Sequence, residues 1–167
     1  MNTSETVNKN IKEGSSRTNQ YVTYVIEDEV YGVDVHKVHE IIGMTKITHV
    51  PNSMDFMKGM IDLRGNVVPV VDMRLKFKMA PREYTDLTVI LIVELKDSLV
   101  GMVVDSVSDV IELPENSIQD TPHFSSKIDT DYICGIGKHG ESLIIILNVD
   151  KILTANEMEI IEKAEKI

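Results

Sequence analysis

An internal repeat constrains the fold of this chain more than any other feature. Gly32, Val35, Val38 and Ile42 line up without gaps on Gly101, Val104, Val107 and Ile111, and Glu40 falls on Asp109. Further on, Gly59 lines up on Gly135 and Val67 to Val71 on Leu143 to Leu147, so the second half repeats the strand order of the first. Each half then specifies one small barrel of about five strands, and two barrels this small, each marginal alone, have to share an apolar interface. The expected fold is mostly β: a first subdomain over about residues 19–81, a second over about 82–153, and a boundary near Pro81. Strands near that boundary can cross between the barrels.

Local patterns fill in this plan. Residues 1–18 are polar and aperiodic, the composition of a disordered tail. Tyr21 to Ile26 and Val30 to Val35 read as two strands around the acidic turn Glu27-Asp28-Glu29. Val38, Ile41 and Ile42 recur at helical spacing and predict a short helical turn ended by Gly43. Ser53 is positioned to cap a second turn through Lys58, with Met54, Phe56 and Met57 available for burial. Leu87 to Leu95 is a nearly unbroken apolar run, the mark of a strand covered on both sides, and Lys96-Asp97-Ser98 turns the chain back into Leu99 to Val104. Pro114 to Asp131 reads as a long connection in which Phe124 can anchor to a core. Thr154 followed by Glu157 is a capping box, and Met158, Ile161 and Ala164 share a face, so residues 154–167 predict an amphipathic helix that packs on a barrel.

The stretch from Lys58 to Phe77 carries the functional expectation. Gly59 and Gly65 permit positive φ or close backbone approach, and they bracket a strand, Met60 to Leu63, whose exit turn holds Arg64. Val67 to Val71 form the next strand, and Pro69, which lacks a ladder donor, belongs on an edge or at a bulge. Gly59, Leu63-Arg64-Gly65, Pro69-Val70 and Asp72-Met73-Arg74 together resemble the signature of the CheW chemotaxis coupling proteins. The resemblance extends over about residues 19–155: VYGVDVHKVHEI and VGMVVDSVSDVI look like the two barrels' counterpart segments, and ICGIGKHGESLIIILNVDKIL like the closing hairpin. Two positions depart from the family pattern: Asp62 stands for the usual Asn and Met54 for a frequent proline.

The resemblance implies paired SH3-like barrels and a non-enzymatic adaptor without a cofactor. Its partners would be the regulatory domain of a CheA-type histidine kinase and the cytoplasmic tip of methyl-accepting chemoreceptors. It carries Arg64, Glu40 and Lys58 over to partner contact; Asp62, beside Arg64, is expected at the same surface, and Gly59, Gly65, Pro69, Gly101 and Gly135 at structural turns. From the residues alone two readings of Arg64 stand side by side. It either bonds Asp62 or Asp72 and staples two strands, or presents its planar fork to a partner. Val38 reads as core. A CheW-like scaffold of a twitching or second-messenger pathway fits the same residues.

Composition bears on the remaining classes. With 27 acidic and 17 basic residues the net charge is −10, which repels phosphate backbones and anionic headgroups. No apolar run approaches the roughly 20 residues of a membrane span, so the expected location is the cytoplasm, and the expected isolated state is a monomer; the resemblance adds recruitment to receptor arrays through partners. His36 and His39 beside Glu40 form the best available metal pair but lack an evident third ligand. Cys134, His139 and Glu141 could assemble a nucleophile and its helpers, yet Ile133-Cys134-Gly135 reads as an inward strand position where a thiol is inert. Gly135-Ile136-Gly137 lacks the spacing and the helix of a phosphate loop and reads as a bend between strands. A small metal-dependent hydrolase and a nucleic-acid-binding barrel are the rivals from other classes.

Overall fold

In a computed structural model, which describes residues 18–51, 53–120 and 132–165, the chain forms eleven strands and two α-helices. The tail reading and the Phe124 anchor lie outside the described residues, except that Thr18 already belongs to a strand.

The first hairpin pairs β1 (Thr18–Ile26) with β2 (Glu29–Asp34) around Glu27-Asp28. A 3-10 turn, Val35–Lys37, leads into β3 (Val38–Gly43), then β4 (Met57–Leu63), β5 (Asn66–Asp72) and the short helix α1 (Met73–Lys76). The second run comprises β6 (Val89–Leu95), β7 (Ser98–Val104), β8 (Ser106–Pro114), the two-residue β9 (Ile118–Gln119), β10 (Ile133–His139), β11 (Ser142–Leu147) and the helix α2 (Ala155–Glu165).

Two sheets form, one in the order β8-β1-β2-β11-β10-β9 and the other in the order β3-β6-β7-β5-β4. The sequence repeat reappears as register. Val70 of β5 lies opposite Gly101 of β7 in a parallel pair, and the aligned Ile146 of β11 lies opposite Gly32 of β2 in the same way. Bulges coincide too: β3 slips against β6 between Val38 and Glu40, and β8 slips against β1 at the corresponding place. Each barrel therefore takes the first two strands of one repeat and the remaining strands of the other, β8 to β11 in one case and β3 to β5 in the other. A cut near Pro81 does not separate the sheets, because β1 and β2 pair with the strands of the second half while β6 and β7 insert among those of the first. Pairing across repeats is possible because the equivalent strands have equivalent patterns.

This exchange explains why the central strands are apolar on both faces. In β6, Ile90 and Ile92 point into one barrel with Ile61, Val68 and Val70, whereas Leu91 and Val93 join a core containing Val22, Tyr24 and Leu147 of the other sheet. Tyr21, Ile111, Leu113, Ile144 and Ile146 fill the second barrel. The shared interface also takes Ile161 of α2, whose capping box forms reciprocally: Thr154 N donates to Glu157 at 2.9 Å and Glu157 N to Thr154 Oγ1 at 3.1 Å.

Several local expectations are corrected. The segment Val38 to Ile42 is a strand, since its β-branched side chains gain more from pairing with β6 than from a single helical turn. Ser53 donates to the Val50 carbonyl instead of capping a helix, and Met57 already begins β4. Leu87 is exposed, so the covered run starts at Val89. Pro69 lies in an interior strand. It is tolerated because its opposite number, Met60, spends its N–H and carbonyl on Thr48, and because the ladder to β7 begins only at Val70. The long connection after Pro114 contains a 3-10 turn and β9, and Gly135 and Gly137 both lie within β10.

Candidate functional site

The hairpin between β4 and β5 has a two-residue turn, Arg64-Gly65, with φ of 51° and 90°. Both values are positive, the geometry that matches the twist of paired strands, and a glycine at the second position lowers its cost. Asp62 Oδ1 accepts from Gly65 N at 2.7 Å and fixes the turn. Arg64 thus leaves the strand in one direction.

That direction leads to Glu40. The Arg64 guanidinium donates through both terminal nitrogens to the two Glu40 oxygens, with Nη1 at 3.2 Å from Oε2 and the Nη2 to Oε1 contact completing a fork. β3 and β4 are the two ends of their sheet order, so this pair forms only because the sheet curls until its edges meet. Hydrogen bonding from Arg64 holds the Glu40 carboxyl below its usual range, and Glu40 in turn raises the guanidinium. The Arg64 side chain stays 67% exposed, so the fork also faces solvent. Ile41, next to Glu40, and Val67, just past the turn, are exposed apolar neighbours in sequence.

Neither Asp62 nor Asp72 binds Arg64, as the stapling reading supposed. Asp62 serves the turn, while Asp72 caps α1 through Arg74 N and Leu75 N and accepts from the Tyr84 hydroxyl at 2.9 Å. Lys58 is not gathered with Glu40 and Arg64: it sits at the β4 bulge, its Nζ 5.6 Å from the Tyr84 ring centroid, about 20 Å along the strand from the Arg64 turn. Val38 is half-buried against the shared core.

Arg74 is the residue that sequence reasoning quoted but left without a role. Its side chain is 5% exposed, with Nε and Nη2 donating to Asp105 at 2.8 and 2.6 Å and Nη1 and Nη2 donating to Glu27 at 2.9 and 3.2 Å. Arg82 approaches the same two carboxylates. Burial works to raise the Asp105 carboxyl, but hydrogen bonds from Arg74 and from Glu27 N outweigh it and hold the group low. The signal was the arginine two residues beyond a capping aspartate: a cation delivered at a helix start into an apolar junction needs carboxylates from elsewhere.

The catalytic alternatives come apart. His36 turns to Asp34 at 3.0 Å, Glu40 belongs to Arg64, and among the described residues no three ligands could hold a metal. Cys134 is exposed rather than inward, because the β10 bulge turns it out, and desolvation raises its pKa. His139 lies at the far end of the same strand, about 17 Å away along the backbone.

What the fold and this surface define is a class: a paired-barrel interaction module, with an exposed bidentate ion pair in place of a catalytic centre. The family model for the CheW-like domain matches residues 20–157. Over 153 residues the chain is 35% identical to the chemotaxis protein CheW of Klebsiella aerogenes, covering 92% of each, and over 142 residues it is 30% identical to CheW of Helicobacter pylori, covering 85% of this chain and 86% of that one. It also superimposes on the crystal structure of the scaffolding protein TtCheW from Thermoanaerobacter tengcongensis with a TM-score of 0.78 and 33% identity, covering 84% of this chain and 96% of that one. The chain belongs to the CheW-like domain family, whose members are non-enzymatic chemotaxis adaptors.

Proposed function

We propose that this adaptor couples the cytoplasmic tip of chemoreceptors to a CheA-type histidine kinase, which it holds through the kinase's regulatory domain. The carrying observation is that the Arg64 and Glu40 fork exists on only one of the two barrels that the repeat relates. At the aligned positions the other barrel has Gly140 and Asp109. A bidentate guanidinium at a rigid turn is a directional donor, and one such site on a pseudo-symmetric body distinguishes its two ends.

The two ends share an apolar element as well. Ile41 and Val67 are exposed on one barrel, and the aligned Val110 and Leu143 on the other. Matching barrel ends against a kinase domain of like architecture would bury these side chains, with the ion pair setting which end meets which partner. Asp62 contributes by holding the Arg64 turn. Lys58 contributes a cation held beside Tyr84. No described helix is long and apolar enough to cross a membrane, so array recruitment runs through the partners.

The test is reconstitution of kinase autophosphorylation with receptor fragments in vesicles. Wild-type protein is expected to raise receptor-dependent activity, and Arg64→Ala to remove that increase while kinase binding persists. No increase with the wild type, using partners from the same cell, would overturn the reading.

A further inference from the structure

The two barrels differ at one groove, and the difference marks a binding pocket. In the β3 to β7 sheet, the linker between the repeats lays Tyr84 across the strands: its hydroxyl donates to Asp72 Oδ2 at 2.9 Å and its ring stands over Lys58. The repeat maps these two contacts onto Asn148 and Cys134 of the other barrel. Both line an open cavity of about 190 Å³ whose remaining walls are mostly apolar, among them Tyr21, Val33, Ile118 and Ile146, with Asp34 and Lys37 also in the lining. No described side chain occupies the place that Tyr84 takes in the first barrel.

The chemistry of this groove specifies what fits. Asp72 Oδ1 accepts from the backbone N–H two residues on, and Asn148 Oδ1 accepts from Asp150 N at 3.1 Å in the same way. The Asn148 amide nitrogen therefore stands where Asp72 offers its second oxygen, replacing an acceptor with a donor. Cys134 likewise replaces the cation beneath the ring with a small apolar thiol. An aromatic ring bearing an acceptor suits both changes, and a tyrosine hydroxyl can accept as well as donate. The chain's own residues 1–17, which precede β1 as the linker precedes β6, contain no aromatic residue, and the one residue with a phenyl ring in residues 121–131, Phe124, carries no hydroxyl to meet Asn148. We infer that this cavity is a docking pocket for one tyrosine side chain presented on an extended segment of a partner protein. The inference does not depend on the coupling role or on the Arg64 site.

The sole cysteine makes the pocket directly testable on the full chain. The probe is a synthetic peptide with the sequence of residues 80–88, which carries Tyr84, beside the same peptide with alanine at that place. The tyrosine peptide is expected to slow the reaction of Cys134 with a disulfide reagent by about tenfold at saturation, and the alanine peptide to leave it unchanged. In a second measurement, Cys134→Trp fills the cavity and abolishes binding of the fluorescently labelled tyrosine peptide, while far-ultraviolet circular dichroism stays that of the wild type. Equal protection by both peptides, or none by either, overturns the proposal. So does a Cys134 that already reacts as slowly as a fully buried thiol in the free chain, since the chain's own residues would then cover the groove.

Discussion

Arg64 and Glu40 lie on opposite edge strands of one sheet and grip each other through a two-pronged contact that closes the barrel outside its hydrogen-bond ladder. The pair is exposed, so its main effect is on recognition. Glu40→Gln and Arg64→Ala should each leave the thermal midpoint nearly unchanged, since solvent-exposed ion pairs contribute little to stability. Each should weaken partner binding by about tenfold or more, as truncation of an interface arginine commonly does. Titration calorimetry against the receptor tip fragment, beside a melting curve, separates the two effects, with binding of the kinase regulatory domain as the unchanged control.

Arg74 behaves in the opposite way. Its guanidinium is buried against Asp105 and Glu27, which come from the β7 to β8 corner and the β1 to β2 turn. Removing it strands two carboxylates at the junction of the sheets. Arg74→Ala should cost about 2 to 4 kcal/mol, the range for breaking a buried pair lowered by about 1 kcal/mol because Glu27 remains partly solvated. The urea midpoint reads this loss.

The same cluster sets the acid limit. Despite burial, Asp105 titrates below its ordinary carboxyl value when folded, held down chiefly by Arg74, so its stabilising contribution is present above the unfolded pKa and is lost as pH falls through the folded value. Glu40, held low by Arg64, adds in the same direction. Stability should therefore decline as the pH drops below about 4. Asp105→Asn should flatten that decline, as measured by urea midpoints across the acid range.

Gly59 and Gly65 both have positive φ but differ in their surroundings. A Cβ on Gly59 would lie 2.1 Å from the Thr48 carbonyl oxygen, whereas one on Gly65 meets nothing within 4 Å. Gly59→Ala should destabilise by about 3 kcal/mol or more, because backbone must move as well as adopt a strained φ. Gly65→Ala should cost about 1 kcal/mol from φ alone. Gly135→Ala should resemble Gly59→Ala, since its Cβ would reach 2.5 Å from the Gln119 carbonyl oxygen.

The helix α2 rests on a small number of polar contacts and one buried isoleucine. Thr154→Ala removes half of the capping box and should cost about 1 kcal/mol. Glu157→Ala loses the other half together with the ion pair to Lys76 at 2.9 Å, and should cost more. Amide exchange in the first turn of α2 is the direct readout.

The sequence by itself determined many of the features that depend on neighbours along the chain, although its local pattern misleads at Val38 to Ile42, which is no helical turn, and at Ser53, which caps no helix. The glycines at 59 and 65, the Arg64 turn, the capping box at Thr154 and the match of Gly32 to Gly101 were all legible, because turn geometry and side-chain alternation act over a few residues. So was the expectation of two barrels with a common apolar interface. Tertiary structure decided the rest. Equivalent strands from the two repeats have nearly interchangeable patterns, so local physics cannot tell whether β1 and β2 close their own barrel or the other one. Arg64 had carboxylates close by in sequence at Asp62 and Asp72, and its choice of Glu40 follows only from the curl that brings β3 to β4. Arg74 found its partners from two distant turns, and Cys134 was turned outward by a bulge. Charges pair with whatever the folded backbone brings within about 4 Å, and that distance is set by strand order rather than by separation along the chain.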